Sequence, residues 1–233
     1  MQHDQNIKGV TLLELLVTIA IVAIISGVAY PNFSKWKKDR DVAQATERIA
    51  NILKSLTTQS QRGSYPFVQL YICEGGKCSD PAASGNLRFY GRGLYKERFI
   101  EIQNSGGLLT CDLESDNWEE PSGNHLISFF GTDDVAIQFA GDDSGVCFSG
   151  DGRYYAVNGE LTNNQDIKVP TDRDTNNYIL ICHINDAAAD GTCPVDYDGG
   201  LEQPAYLIEW SRFGNIIKYK YTIRDEEGFW TQK

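Results

Sequence analysis

The sequence predicts an α+β protein: a long N-terminal α-helix, its first half able to span a membrane and its second half amphipathic, packed on a mainly antiparallel β-sheet head. Three observations predict it. Val10 to Tyr30 is a run of 21 residues whose only charge is Glu14, against the roughly 20 apolar residues needed to cross hydrocarbon. From Lys35 to Gln61 the pattern becomes amphipathic, with Val42, Ala45, Ile49, Ile52, Leu53 and Leu56 at helical spacing. Beyond Gly63 come short β-type runs separated by Gly, Asn, Asp and Pro.

Taken in order, residues 1–9 form a short polar leader, 10–30 the apolar helix, 31–62 its amphipathic continuation and 63–233 one globular head. As one helix, residues 10–62 would extend about 80 Å at 1.5 Å per residue. Gly27 and Pro31 are expected to weaken or bend it, since proline removes a donor and crowds the carbonyl four residues back. Gly63-Ser64-Tyr65-Pro66 should end it. Strands are predicted over 67–73, 87–90, 98–103, 125–130, 135–140, 146–149, 154–157, 178–184, 206–211 and 216–223. Arg212-Phe213-Gly214-Asn215 reads as the turn of a closing hairpin. Residues 104–124, 158–177 and 185–205 read as polar loops, and no internal repeat is evident.

Glu14 sets the functional question. An ionised carboxylate at the centre of a bilayer costs about 2.5–3.5 kcal/mol, less near the interface, so an intramembrane Glu marks a functional site whose cationic partner must be found. The nearest candidate is an α-amino group at Val10, which exists only if a protease cuts after Gly9. A plain signal anchor would need neither that glycine nor a Glu at this spacing. A cleaved secretory peptide would have a 7–15-residue apolar core and a small-residue cleavage site. The four cations Lys35, Lys37, Lys38 and Arg40 just past the run oppose the positive-inside rule, so orientation rests on the processing motif.

Lys8-Gly9, Val10 and Thr11-Leu12-Leu13-Glu14-Leu15 together resemble the processing site of the type IV filament superfamily, which comprises type IV pilins, minor pilins and type II secretion pseudopilins. The resemblance implies a pilin-like fold, cleavage between Gly9 and Val10 by a prepilin peptidase, and methylation of the new amine. It also implies that Glu14 neutralises the N-terminal amine of a neighbouring subunit during assembly, with Thr11 in the same motif. Pro31 falls where many pilins carry proline. Val10 stands where phenylalanine is commoner, and the leader's one strong cation, Lys8, is offset by Asp4.

Charge and cysteines describe the head. Residues 31–62 carry seven Lys or Arg against three acids, whereas 63–233 carry thirteen against twenty-seven, a net of −14. Such charge favours solubility and repels polyanions. Cys73, Cys78, Cys111, Cys147, Cys182 and Cys193 all follow the apolar run, an even number in the part expected outside the cytoplasm, which points to disulfides. Fifteen pairings are open. Closing local loops would join Cys73 to Cys78 and Cys182 to Cys193, leaving Cys111 with Cys147. A zinc site would need matching His ligands that neither local pair has.

Two head segments resemble the GspH/FimT group of minor pseudopilins and minor pilins: Val68-Gln69-Leu70-Tyr71-Ile72-Cys73 with Glu74-Gly75-Gly76-Lys77-Cys78, and Val146-Cys147-Phe148-Ser149-Gly150-Asp151-Gly152-Arg153. They favour a minor over a major subunit.

No enzyme is expected. Only His125 and His183 follow the leader, both in apolar strand patterns, and no nucleophile elbow, P-loop or His-Glu-x-x-His helix occurs. No cofactor and no metal is assigned: Asp142-Asp143, 172–177 and 196–200 offer oxygen ligands for calcium, but such Asx-rich stretches commonly form self-capped turns. Lys218, Lys220, Arg224 and Lys233 lie among aromatics that should complete the sheet, and acids 225–227 interrupt them; nucleic acid is not an expected partner. The expected partners are other pilin or pseudopilin subunits through the N-terminal helix, the prepilin peptidase, the inner-membrane assembly platform and inner-membrane lipid. The expected location is the inner membrane, single-pass, with the head in the periplasm until assembly into a pilus or pseudopilus. Other readings of the sequence are a major type IV pilin and a membrane-anchored adhesive or ligand-binding β domain.

Overall fold

Helical spacing carried through two chemically different stretches gives one helix, α1, Leu12–Gln61. The computed structural model describes residues 10–74, 87–105, 124–139, 143–158, 177–188, 193, 205–211, 214–224 and 227–233. The chain divides into two units, residues 1–38 and 39–233, and α1 passes through the boundary. Within the first unit α1 changes direction between Gly27 and Asn32, across Pro31. Among the described residues no single helix is therefore long and apolar enough to cross a membrane, while the bent pair Leu12–Gly27 and Asn32–Gln61 passes by length and composition.

The helix stops where the sequence said it would. Gly63 adopts φ +71°, the Ser64 N–H bonds to the Gln59 carbonyl at 3.1 Å, and the Gly63 N–H to the Ser60 carbonyl at 2.9 Å. Those two bonds satisfy the last carbonyls in a Schellman motif, which needs a residue tolerant of the left-handed region.

Among the described residues of the second unit the head forms two five-stranded antiparallel sheets. The first has the order β3-β2-β1-β5-β6, built from β1 Phe67–Glu74, β2 Leu87–Leu94, β3 Asn124–Thr132, β5 Asp143–Ser149 and β6 Tyr154–Asn158. The second has the order β10-β9-β8-β7-β4, built from β4 Val135–Phe139, β7 Tyr178–His183, β8 Ala205–Trp210, β9 Ile216–Arg224 and β10 Glu227–Gln232. Gly214 at φ +76° and the Ser211 N–H to Asn215 carbonyl bond lie in the β8–β9 connection, where a hairpin turn was expected.

One core joins the helix to both sheets. Val42, Ile49, Leu53 and Leu56 of α1 cluster with Val68, Leu70, Ile72, Phe89 and Phe148 of the first sheet and with Ile137, Ile179, Ile181, Ile208 and Trp210 of the second. The second sheet is apolar on its other face too, where Ala136, Leu180, Cys182, Leu207 and Tyr221 group with Cys193. Strand β7 is accordingly buried at every residue, the behaviour of a continuous apolar run rather than an alternating one.

One predicted strand is a helix. Residues 98–103 fall within α2, Lys96–Asn104. Its apolar residues fit either period over so short a stretch, and the deciding contributions are local. Lys, Glu, Arg and Gln favour helix, Glu97 sits in the first turn, and Arg98 pairs with Glu101 at 2.8 Å one turn on. Ile102 is buried, and the Phe99 ring meets Phe67 at 6.0 Å. The final strand β10 completes the second sheet with Phe229 and Trp230, as their aromatic character suggested.

Cys182 and Cys193 form the expected disulfide, with Cα atoms 5.7 Å apart. Cys73 and Cys147 are also disulfide-bonded. They are not bonded to each other, because Cys147 stands opposite Gln69 and Cys73 lies four residues further along β1, about 13 Å away at the strand rise and beyond disulfide reach. The partners expected for them, Cys78 and Cys111, lie outside the described residues.

Candidate functional site

Val10 and Thr11 precede the helix, and Val10 is 72% exposed. Thr11 Oγ1 accepts the Glu14 N–H at 3.2 Å, and the Thr11 carbonyl accepts the Leu15 N–H at 3.1 Å. Thr11 is therefore the N-cap and Glu14 the third helical residue, the spacing of a capping box. Sequence reasoning placed Thr11 in the motif but missed this role, although Thr-x-x-Glu before an apolar run is its signature. The cap fixes the helix start two residues past the Gly9–Val10 bond; Gly9 itself lies outside the described residues. Glu14 sits in the first turn, where the helix dipole favours negative charge. Its carboxylate has no ion-pair partner among the described residues.

The rest of the segment is apolar and uncovered. Leu12, Leu13, Leu15, Leu16, Val17, Ile19, Ile21, Val22, Ile24 and Ile25 are each at least half exposed, on every side of the helix. Burying one such side chain is worth about 1.5–3 kcal/mol, so the segment requires an apolar surrounding of lipid or neighbouring helices. Pro31 lies within α1 at its change of direction.

The other sequence candidates have local partners. In Val146 to Arg153, Ser149 Oγ donates to Asp151 Oδ1, Arg153 pairs with Asp151 at 3.2 Å, and Gly152 takes φ +82°. The Ser149 hydrogen bond, then the Arg153 N–H, hold the Asp151 carboxyl below the usual value. This stretch is a self-satisfied β5–β6 turn, and its Gly150 N–H donates to the Pro66 carbonyl at 3.2 Å. Val68, Gln69 and Leu70 of β1 pair with Phe148, Cys147 and Val146 of β5, so these two stretches lie side by side.

Lys218 and Lys220 of the C-terminal basic group reach α1: Lys218 pairs with Glu47, and Lys220 with Asp39 at 2.7 Å. Tyr206 Oη donates to Asp39 at 3.1 Å, and the Lys220 ammonium lies 5.4 Å from the Tyr206 ring centroid. Burial, then Asp39, push the Tyr206 hydroxyl up; against burial, the bond to Asp39 and the tyrosine raise Lys220. His183 is buried and accepts the Asn185 N–H, capping a short 3₁₀ turn. His125 is exposed, with Nδ1 2.7 Å from Tyr65 Oη. Asn177 donates to the Trp210 carbonyl. Residues 142, 172–176 and 196–200 lie outside the described residues, and among those described no group of three acids, Cys or His is placed to hold a metal.

Fold and N-terminal geometry together define a β-headed protein on a long helix whose capped start is apolar and uncovered. Residues 4–30 match the family of the prokaryotic N-terminal methylation motif. This supports the superfamily of type IV pilins and pseudopilins, and implies processing by a prepilin peptidase and assembly with other pilin-type subunits. No curated protein and no solved structure matches the chain.

Proposed function

We propose that the chain is a minor pilin or minor pseudopilin, a structural subunit of a type IV pilus or a type II secretion pseudopilus. The peptidase cuts after Gly9 and methylates the Val10 amine. The apolar helix holds the subunit in the inner membrane with its head in the periplasm until the assembly platform transfers it to the filament. The observation that carries this reading is the motif Lys8-Gly9-Val10-Thr11-Leu12-Leu13-Glu14-Leu15, with a single carboxylate in an otherwise apolar segment. In a low-dielectric filament core that carboxylate needs a cation, and the amine freed at Val10 of an adjacent subunit supplies one. The minor role draws on the resemblance of two head segments to the GspH/FimT group, whose described parts pair side by side in β1 and β5. Replacing Glu14→Leu should leave cleavage intact and abolish recovery of the chain in sheared filaments or pseudopili. Normal recovery of the Glu14→Leu protein would refute the charge pairing.

A further inference from the structure

Immediately past the apolar run, Tyr30, Phe33 and Trp36 recur every third residue and are 77%, 60% and 55% exposed. The Phe33 and Trp36 rings lie 5.8 Å apart. Lys35 lies between Phe33 and Trp36, Lys37 and Lys38 follow directly, and residues 31–38 contain no acid. Aromatic rings with a polar edge settle at the headgroup level of a bilayer, and closely spaced cations are drawn to anionic lipid surfaces. The length also fits: Tyr30 to Trp36 covers about 9 Å of helix axis, comparable with the roughly 5–8 Å of polar layer on each side of the hydrocarbon.

We infer that residues 30–38 form a collar that binds the anionic headgroups of the leaflet from which the chain emerges. The inference rests on the proposed membrane span of residues 10–30. It gives a purpose to cations that stand on the side the positive-inside rule disfavours: they hold the helix at a fixed height through lipid phosphate. Extraction into a filament must break that contact, so the collar also retains subunits until assembly begins.

The test uses the full chain in liposomes of phosphatidylcholine alone or mixed with phosphatidylglycerol, with lipids brominated high on the acyl chain. The chain has four tryptophans, so the signal of Trp36 is taken as the difference between the wild type and Trp36→Phe. The expected result is that bromine quenches the Trp36 signal, and that phosphatidylglycerol raises the quenching by at least about twofold. Joint replacement Lys35→Glu, Lys37→Glu and Lys38→Glu should remove that increase. Quenching equal in both lipids, or absent, would overturn the collar. A Trp36 signal blind to bromine but dependent on protein concentration would also overturn it, assigning the stripe to the acidic head of a second copy. Carbonate extraction separates the two readings: a chain stripped from the liposomes refutes the span itself, whereas an integrated chain without quenching refutes only the collar.

Discussion

The two ends of α1 have the same backbone and opposite surroundings. Val42, Ile49, Leu53 and Leu56 are completely buried, each belonging to a stripe that meets two sheets. Leu12 through Ile25 carry comparable apolar surface, yet every large side chain among them is at least half exposed. The difference lies in distribution. A stripe marks a helix whose apolar partner comes from its own chain, whereas apolarity on all sides marks one whose partner is lipid or other helices. The second half contributes to the stability of the head, whereas the first half leaves its apolar surface uncovered.

Mutations that treat the two halves alike test this contrast most strongly. Leu53→Ala should cost about 2–5 kcal/mol, since it opens a cavity between helix and sheets. Leu16→Ala should leave the unfolding of the head within about 0.5 kcal/mol. Urea titration of the full chain in mild detergent measures both, and equal losses would break the comparison. Removing the Cys182–Cys193 bond as a double serine variant should cost about 2–4 kcal/mol in the same titration, with membrane integration unchanged.

A smaller effect belongs to the ion pairs between α1 and β9. Asp39→Asn should cost about 0.5–1 kcal/mol, because Asp39 and Lys220 remain partly open to solvent. Lys220 is raised in the folded protein, so its contribution is fully present below the ordinary lysine value and is lost as pH rises through the folded one. The raised Tyr206 hydroxyl has the same sign. The stability gap between wild type and Asp39→Asn should hold at neutral and mildly alkaline pH and close at higher pH. A gap that instead widened with pH would contradict the pairing.

Signals local to the chain were readable and long-range pairing was not. The stop at Gly63, the β8–β9 turn at Gly214 and the Cys182–Cys193 loop each depend on a few neighbouring residues. That the head is two sheets could not be read, because β4 follows β3 after a short turn yet joins the other sheet, and β1 pairs with β5 from Phe67 to Ser149. The stretch 98–103 went wrong because its apolar residues satisfy periods of 2 and 3.6 equally. At the N-terminus the motif was visible residue by residue. The capping role of Thr11 was visible too in the Thr-x-x-Glu spacing, but was obscured by its place in the processing motif.

The most direct test of the account is the intact mass and N-terminal sequence of the membrane-extracted chain after co-expression with an active prepilin peptidase. A filament subunit should yield a chain beginning at N-methylated Val10. A chain still beginning at Met1, while the same peptidase processes a known substrate, would contradict it and leave a β head on a helix with no filament to join.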